Sequence, residues 1–146
     1  MTLAERNDPL FNFKFQVEIS GLIRAGFSEV SGIEAEVETE EYKEGGVNGY
    51  IHKLPKIAKY PNLVLKRGIT DSGFLWNWHL GVVNGIITRL PVRIILQDYQ
   101  GNEKWFWICL DAYPVKWVGP SFKADDNSTA IETLELVHTG LLSAEL

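Results

Sequence analysis

Six glutamates lie close together in this sequence, and two carboxyl groups are the catalytic groups that glycoside hydrolysis requires. They are Glu34, Glu36, Glu38, Glu40, Glu41 and Glu44. The first four alternate with apolar or β-branched residues, which is the two-residue period of a β-strand. A strand sets these carboxylates side by side on one flat face instead of across a cleft. The spacing therefore disfavours a general acid–base pair.

The remaining reactive side chains form no recognisable site either. His52, His79 and His138 fall in three separate segments without metal-ligand spacing. Cys109, the single cysteine, sits in an apolar run from Trp105 to Leu110 and is typical of a small buried hydrophobe. No nucleophile elbow, phosphate-binding loop or dinucleotide fingerprint is present. We predict that the chain is not an enzyme and has no catalytic residue, metal site or cofactor.

Five tryptophans keep one alternative open, an aromatic-rich β-sandwich that binds sugars by stacking. They are Trp76, Trp78, Trp105, Trp107 and Trp117. The first two fall in a predicted helix, and Trp105 and Trp107 share the apolar run of Cys109. This placement is more typical of core and interface aromatics than of a binding platform.

Composition indicates one soluble domain over residues 1–146. Hydrophobic residues make up 45% and charged residues 23%, and the net charge of −5 disfavours sequence-independent binding to nucleic acid. No apolar run approaches the roughly 20 residues that span a bilayer, so we expect no direct membrane insertion. Residues Met1 to Pro9 carry charges without an apolar run, unlike a signal peptide. With a single cysteine and so no internal disulfide, folding in a reducing cytoplasm is the expectation.

The elements that must position these residues are mostly strands. About seven are predicted, and the clearest are Phe11–Ile19, Ile33–Glu40, Asn62–Lys66, Val92–Gln97, Trp105–Asp111 and Ala130–His138. Val92–Gln97 and Trp105–Asp111 form a hairpin, and Pro114 and Gly119-Pro120 interrupt the next segment. Ile33–Glu40 is expected to pack one face on the core while its glutamates meet water. The fold class is therefore mainly β, a sandwich or an open barrel.

One helix is predicted at about 72–84. Asp71 or Ser72 is suited to the N-cap, and Asn84-Gly85 is a good C-terminal stop. Phe74, Trp78 and Val82 recur at helical spacing and give one apolar face.

Residues 41–61 form a long segment that is rich in glycine, proline, tyrosine and lysine. Loops of this length are usually functional or disordered, and its recurring apolar residues favour a protruding loop or hairpin that becomes ordered against a partner. The residues predicted to contact that partner are Tyr42, Gly45, Gly46, Tyr50, His52, Lys53, Leu54, Lys56 and Lys59. An acidic strand followed by this basic loop would be complementary between copies.

Several segments, taken in order, resemble the tail tube protein family of contractile-tailed phages and extracellular contractile injection systems. These segments are Asp8–Leu10, Phe13–Gly21, Ala25–Glu34, Glu44–Gly46, His52–Pro55, Leu65–Gly68, Leu75–Trp78, Pro114–Trp117 with Gly119-Pro120, and Ala130–Leu136 with His138. The resemblance runs nearly end to end, and the fixed order of many short motifs makes it specific.

The resemblance implies two packed antiparallel sheets with one flanking helix, in a subunit of a hexameric ring. The strands of all copies would form a continuous β-barrel around a lumen, and rings would stack into a tube inside a contractile sheath. The segment at residues 41–61 would then be the loop that stacks one ring on the next. The implied partners are other copies, the sheath protein, baseplate or initiator proteins, terminator proteins, and a payload of toxin protein or DNA in the lumen. The mature location would be a phage virion or a phage tail-like particle.

Two questions stay open at the level of sequence. Glu34, Glu36, Glu38 and Glu40 line the lumen, face the sheath, or form a merely solvated strand face. The chain is either a bulk tube subunit or a baseplate-proximal initiator of the same machine.

Overall fold

The computed structural model describes residues 12–24, 26–42, 52–125 and 128–145, and this part of the chain contains ten strands and one helix. The strands are β1 (Lys14–Ile19), β2 (Leu22–Arg24), β3 (Phe27–Ser31), β4 (Glu36–Tyr42), β5 (His52–Lys59), β6 (Leu63–Gly68), β7 (Leu90–Gln97), β8 (Glu103–Val118), β9 (Ile131–Val137) and β10 (Gly140–Glu145). The helix is α1 (Phe74–Val83). The described strands form two antiparallel sheets, one of eight strands and one of two, which confirms the predicted mainly β fold class.

Strand β8 organises the larger sheet because its two halves belong to different layers. Its first half pairs with β7 and β10, and β7 pairs in turn with β1 and β1 with β2. We call this set the five-stranded layer. The second half of β8 pairs with β9, β9 with β6 and β6 with β3, which makes the four-stranded layer. All of these pairings are antiparallel.

The core lies between the two layers and is built by strict alternation along the strands. Every second residue of β6 and β9 is buried, while the residues between them face away from the core. The apolar residues that meet in the core include Val17, Ile19, Leu63, Leu65, Val92, Ile94, Cys109, Leu134 and Leu136 from the strands and Leu75 and Trp78 from α1. The helix thus packs against one opening between the layers.

The start of the helix differs from the expectation. Gly73 is the N-cap residue and no side chain caps the first turn, so the assignment of Asp71 or Ser72 was wrong. Ser72 is engaged in the preceding turn instead: its amide donates to Thr70 Oγ1, and its carbonyl oxygen accepts from Arg67 Nη2. The predicted stop is confirmed, since Asn84 is the C-cap and Gly85 adopts a φ of 86°.

The strand predicted at Ile33–Glu40 is the main correction. It begins at Glu36, and its one partner in the described part of the chain is β5, with which it forms a two-stranded sheet that we call the ribbon (β4 and β5). No face of β4 packs on the core, and Val37 is exposed. Only Ile33, which precedes the strand, packs against the core. Alternation identified a strand correctly, but it carries no information about which layer, if any, covers the apolar face.

Prolines concealed two further stretches of strand. Pro55 lies inside β5, which has a described partner only in β4, and proline is tolerated in such edge strands. Pro114 does not interrupt its segment: β8 continues through it to Val118, and a register shift follows at Pro114 to Lys116. Strands β2, β3 and β10 were not predicted, and β5 lies in the segment that was predicted as a protruding loop or hairpin.

The base of the ribbon is a close crossing of two backbone segments. Gly32 follows β3 with a φ of 89°, and Asn62 lies on the return segment before β6. A Cβ at position 32 would lie 3.1 Å from the carbonyl carbon of Asn62 and closer still to its carbonyl oxygen. Asn62 is itself held by a 3.1 Å hydrogen bond from Nδ2 to Glu135 Oε1 of β9. The ribbon is therefore anchored to the four-stranded layer at a point that only glycine can occupy.

We expect Gly32→Ala to reduce the free energy of unfolding by more than about 4 kcal/mol in urea denaturation, because it adds a backbone collision to an unfavourable φ. Gly101→Ala is the matched control, since Gly101 has a φ of 90° with open space around it. That change should cost only about 1–2 kcal/mol, the penalty of left-handed backbone alone. Equal losses for the two variants would contradict the close crossing.

Candidate assembly surfaces

The ribbon exposes both of its faces and carries large apolar side chains on them. Tyr42, Leu54 and Ile57 are all exposed, and 85% of Ile57 is accessible. Of the residues predicted for ring stacking, Tyr42 lies opposite His52 and Lys53 opposite Glu41, and Lys56 and Lys59 also belong to β5, whereas Gly45, Gly46 and Tyr50 lie outside the described residues. Apolar surface that the described part of the chain leaves uncovered indicates a contact with another molecule.

Lysines of the neighbouring strand β5 lie opposite the glutamates of the acidic strand. Glu36, Glu38 and Glu40 belong to β4, and Glu34 precedes it. Lys59 lies opposite Glu36 and forms an ion pair with Glu38, and its hydrogen bond to that carboxylate raises the pKa of the lysine. The acidic and basic segments therefore meet first within one copy, as the two strands of the ribbon.

The larger sheet ends in unpaired edges. Within the described residues, the four-stranded layer has a free edge at β3 and another along the second half of β8, and the five-stranded layer has free edges at β2 and β10. Such edges present rows of unpaired amide and carbonyl groups, which are templates for pairing with another chain.

The face of the four-stranded layer that points away from the core is mixed in charge. The strand register places Glu29, Lys66, Thr133 and Val118 in one row, and Ser31, Val64, Glu135 and Lys116 in the next. Lys66 Nζ lies 3.6 Å from Glu29 Oε2. Two glutamates and two lysines in these rows leave the face without net charge.

An apolar cleft opens between the layers at the β3 side of the fold. Its volume is about 460 Å³, and Val30 and Ile33 form one wall. The opposite wall consists of aromatic and aliphatic residues from the five-stranded layer and the residue before it, namely Phe13, Phe15, Leu96 and Trp107. No residue of α1 lines the cleft, so helix and cleft lie at different openings between the layers.

Arg67 and Glu132 are the buried charged residues of the described chain, and they form an ion pair with each other. Their side chains are 3% and 7% exposed, and Arg67 Nε donates to Glu132 Oε1 at 2.6 Å. Arg67 Nη2 also donates to the carbonyl oxygen of Ser72, and Trp117 Nε1 donates to Glu132 Oε2. The pair joins β6, β9, β8 and the turn before α1. A buried pair with this many internal partners holds these elements together.

The other reactive side chains remain dispersed. His79 lies on α1 beside Trp76, His138 lies beside Tyr60, and His52 lies on the ribbon. The described residues contain no group of three or more potential metal ligands, and none of their helices is long and apolar enough to cross a membrane. Burial raises the pKa of the Cys109 thiol to about 11, so it is protonated near neutral pH and is a poor nucleophile.

The tryptophans do not form a shared binding platform. Trp78 is buried in the core and donates its indole hydrogen to the carbonyl oxygen of Thr88. Trp76 packs edge-on against Trp117, with ring centroids 4.8 Å apart, while Trp105 and Trp107 form a second pair. Most of this aromatic surface is used for packing within the fold.

The comparison with family models matches the T4-like virus tail tube protein gp19 family over residues 11–142. The chain belongs to this family. It is a structural tube subunit, as the resemblance in the sequence implied.

Solved structures share the fold with this tail tube family member. The tube-terminating cap of the anti-feeding prophage superposes with a TM-score of 0.86 at 22% identity, covering 99% of this chain and 97% of that chain. The PVC sheath-tube complex of an extracellular contractile injection system, in its extended state, superposes with a TM-score of 0.82 at 24% identity, covering 94% of this chain and 93% of that chain. Hcp1 from Flavobacterium johnsoniae superposes with a TM-score of 0.61 at 15% identity, covering 90% of this chain and 97% of that chain. A search of the curated proteins finds no match.

The buried pair offers a test of what holds the tail tube fold together. We expect Arg67→Met to reduce the free energy of unfolding by about 3–5 kcal/mol in urea denaturation, because it strands the Glu132 carboxylate without a counter-ion. Adding Glu132→Gln removes the charge, keeps the acceptor for Trp117, and should recover about 1–2 kcal/mol.

Lys66→Met is the matched control, since Lys66 pairs with Glu29 at the surface. Its effect should stay within about 1 kcal/mol. An Arg67→Met variant as stable as this control would show that the buried pair does not stabilise the fold.

Proposed function

We propose that this chain forms hexameric rings that stack into the inner tube of a contractile injection system or phage tail, a hollow conduit for payload inside a contractile sheath. The observation that carries the proposal is the pair of free edges on the four-stranded layer. A head-to-tail contact between two different edges of one subunit closes into a ring when the rotation divides a full turn.

The number of strands decides which layer suits this closure. In the order β3, β6, β9, β8, neighbours run in opposite directions, so β8 runs opposite to β3. When the next copy is related by rotation, its β3 arrives antiparallel to β8. The sheet then continues with one ladder type across every seam, and the closed barrel has no edge left.

The five-stranded layer behaves differently because its strand count is odd. In the order β10, β8, β7, β1, β2, the two outermost strands run in the same direction. A rotated neighbour would therefore meet it with parallel strands, interrupting an otherwise antiparallel sheet. This parity supports the four-stranded layer as the wall of the barrel.

With the four-stranded layer as the wall, its outward face lines the lumen. That face carries Glu29, Lys66, Lys116 and Glu135 among small and β-branched residues. Balanced charge at short spacing offers a passing payload no extended patch of one sign. The same property suits either toxin protein or DNA, because neither is held by a field of opposite charge.

The ribbon is the proposed contact between successive rings. Its exposed Tyr42, Leu54 and Ile57 provide apolar anchors, and Lys53 and Lys56 extend from β5 beside them. Glu34, Glu36, Glu38 and Glu40 are proposed to face the lumen or the sheath-side exterior at the ring boundary. Reversing these charges and measuring payload loading and sheath assembly separately distinguishes the two surfaces.

The proposed partners follow from the machines in which similar structures occur. One such structure is a sheath-tube complex, another a sheath/tube terminator, and another the AFP baseplate. We propose that this chain likewise contacts a sheath protein, a baseplate or initiator protein and a terminator. It would assemble in the bacterial cytoplasm, reside in a virion or tail-like particle, and insert into no membrane itself.

A second role in the same machine is a subunit at an end of the tube, such as the baseplate-proximal initiator. The likeness to a tube-terminating cap and to a baseplate component supports it. A bulk subunit polymerises into long tubes when purified alone, whereas an end subunit stops at one ring or a short stack. Electron microscopy of the recombinant protein separates the two roles.

We expect Leu54→Ser with Ile57→Ser to leave folding unchanged and to reduce tube growth at least tenfold in electron micrographs, giving rings that do not stack. Both side chains are exposed in the single copy, so their loss removes contact area only from an assembly. Tyr99→Ser is the control, because Tyr99 is similarly exposed on the turn between β7 and β8. Tubes of normal length from the ribbon variant would refute the stacking role.

A further inference from the structure

Phe122 is an exposed aromatic residue with no role in the fold. It lies between β8 and β9, and 83% of it is accessible to solvent. Tail tube subunits function in an assembly, where burial of such an aromatic side chain against another copy would stabilise the contact. In the chain Phe122 comes four residues after Val118, the last residue of β8, which forms one edge of the four-stranded layer.

The apolar cleft lies at the other edge of the same layer, beside β3. Ser28, Glu29 and Val30 of the edge strand β3 line it, together with Ile33. Strands β9 and β6 separate β3 from β8 in the sheet. A protruding aromatic residue and an open apolar cleft are thus found at the two ends of one four-stranded row.

Charge at the two places is complementary. Lys123 directly follows Phe122 and is exposed, whereas Glu29 stands on the cleft wall. Glu29 already lies 3.6 Å from Lys66, but its side chain is 56% exposed, which leaves carboxylate surface for a second lysine beside the cleft that the aromatic side chain would enter. Charge pairs at the rim of an apolar contact fix its orientation more than they add affinity.

We propose that Phe122 of one copy inserts into the cleft of the next copy in the same ring, with Lys123 directed at Glu29 of that copy. The inference rests on the proposed function, because only ring closure brings the β8 edge of one copy beside the β3 edge of another. It adds a side-chain contact to the backbone hydrogen bonds between copies. The hydrogen bonds fix the relative direction of the two edge strands, and the insertion of Phe122 selects a neighbour that has the cleft. A patch and a pocket at different places on one subunit generate this kind of head-to-tail contact.

The test is intermolecular cross-linking of Lys123→Cys with Ser28→Cys, which leaves Phe122 in place. Ser28 is exposed at the cleft and differs from cysteine by one atom, while the native Cys109 is buried. With a short bifunctional maleimide, we expect the double variant to give a ladder of covalent oligomers up to the full ring. A mixture of the two single variants should stop at linked dimers, because each copy then carries one engineered thiol.

Lys123→Cys with Asn84→Cys is the matched control and should give no ladder, since Asn84 is exposed at the end of α1, which lines no part of the cleft. In parallel, Phe122→Ser should weaken ring assembly about 10- to 100-fold without changing the melting temperature of the single copy, and Phe122→Leu should largely restore it.

Normal tubes in electron micrographs without Ser28–Lys123 cross-links would overturn the inference and leave the tube function standing. Cross-links within a single chain at high dilution would also overturn it, as would linking of Ser28→Cys to Leu54→Cys of the ribbon in place of Lys123→Cys. Absence of rings and tubes from the unmodified protein would instead refute the proposed function itself.

Discussion

The structure depends on an unfinished β-ladder. Each strand inside the sheet is paired on both sides, but among the described residues β3 and the second half of β8 have partners on one side only. Free edges are a liability for a protein that works alone, because they invite aggregation without defined order. In a tail tube subunit they become useful when geometry allows a single way to complete them. An even number of strands in the four-stranded layer provides that geometry, since rotation then joins edges of opposite direction.

The apolar surface divides in the same way between what one copy needs and what only an assembly can bury. The core between the layers and the Arg67–Glu132 pair complete the single subunit without help. The exposed ribbon residues and Phe122 do not contribute to that core, and the cleft leaves one side of it open. The backbone crossing of Gly32 and Asn62 holds the base of the ribbon at a defined place on the four-stranded layer. The apolar residues of the ribbon are therefore positioned for a neighbour although they do not pack on the core.

Much of the fold was readable from local pattern, and the failures have physical causes. Alternation from Phe13 to Ile19 and from Ile131 to Val137 predicted strands correctly, because one face of each is buried by its own chain. The same alternation at Val37 misled, since the burial that it anticipates comes from no described part of this chain. Pro55 and Pro114 concealed strands because sequence does not reveal which strands stand at an edge. The cleft and the two free edges depend on strand order, which no local pattern encodes.

The most direct measurement of the central claim is amide hydrogen exchange, compared between unassembled subunits and tubes. If neighbouring copies complete the four-stranded layer, the amides of Phe27–Ser31 and of residues 113–118 gain strong protection on assembly, while those of Leu22–Arg24 and Gly140–Glu145 do not. Protection gained at the latter two strands, with β3 and the second half of β8 still exchanging freely, would contradict the account.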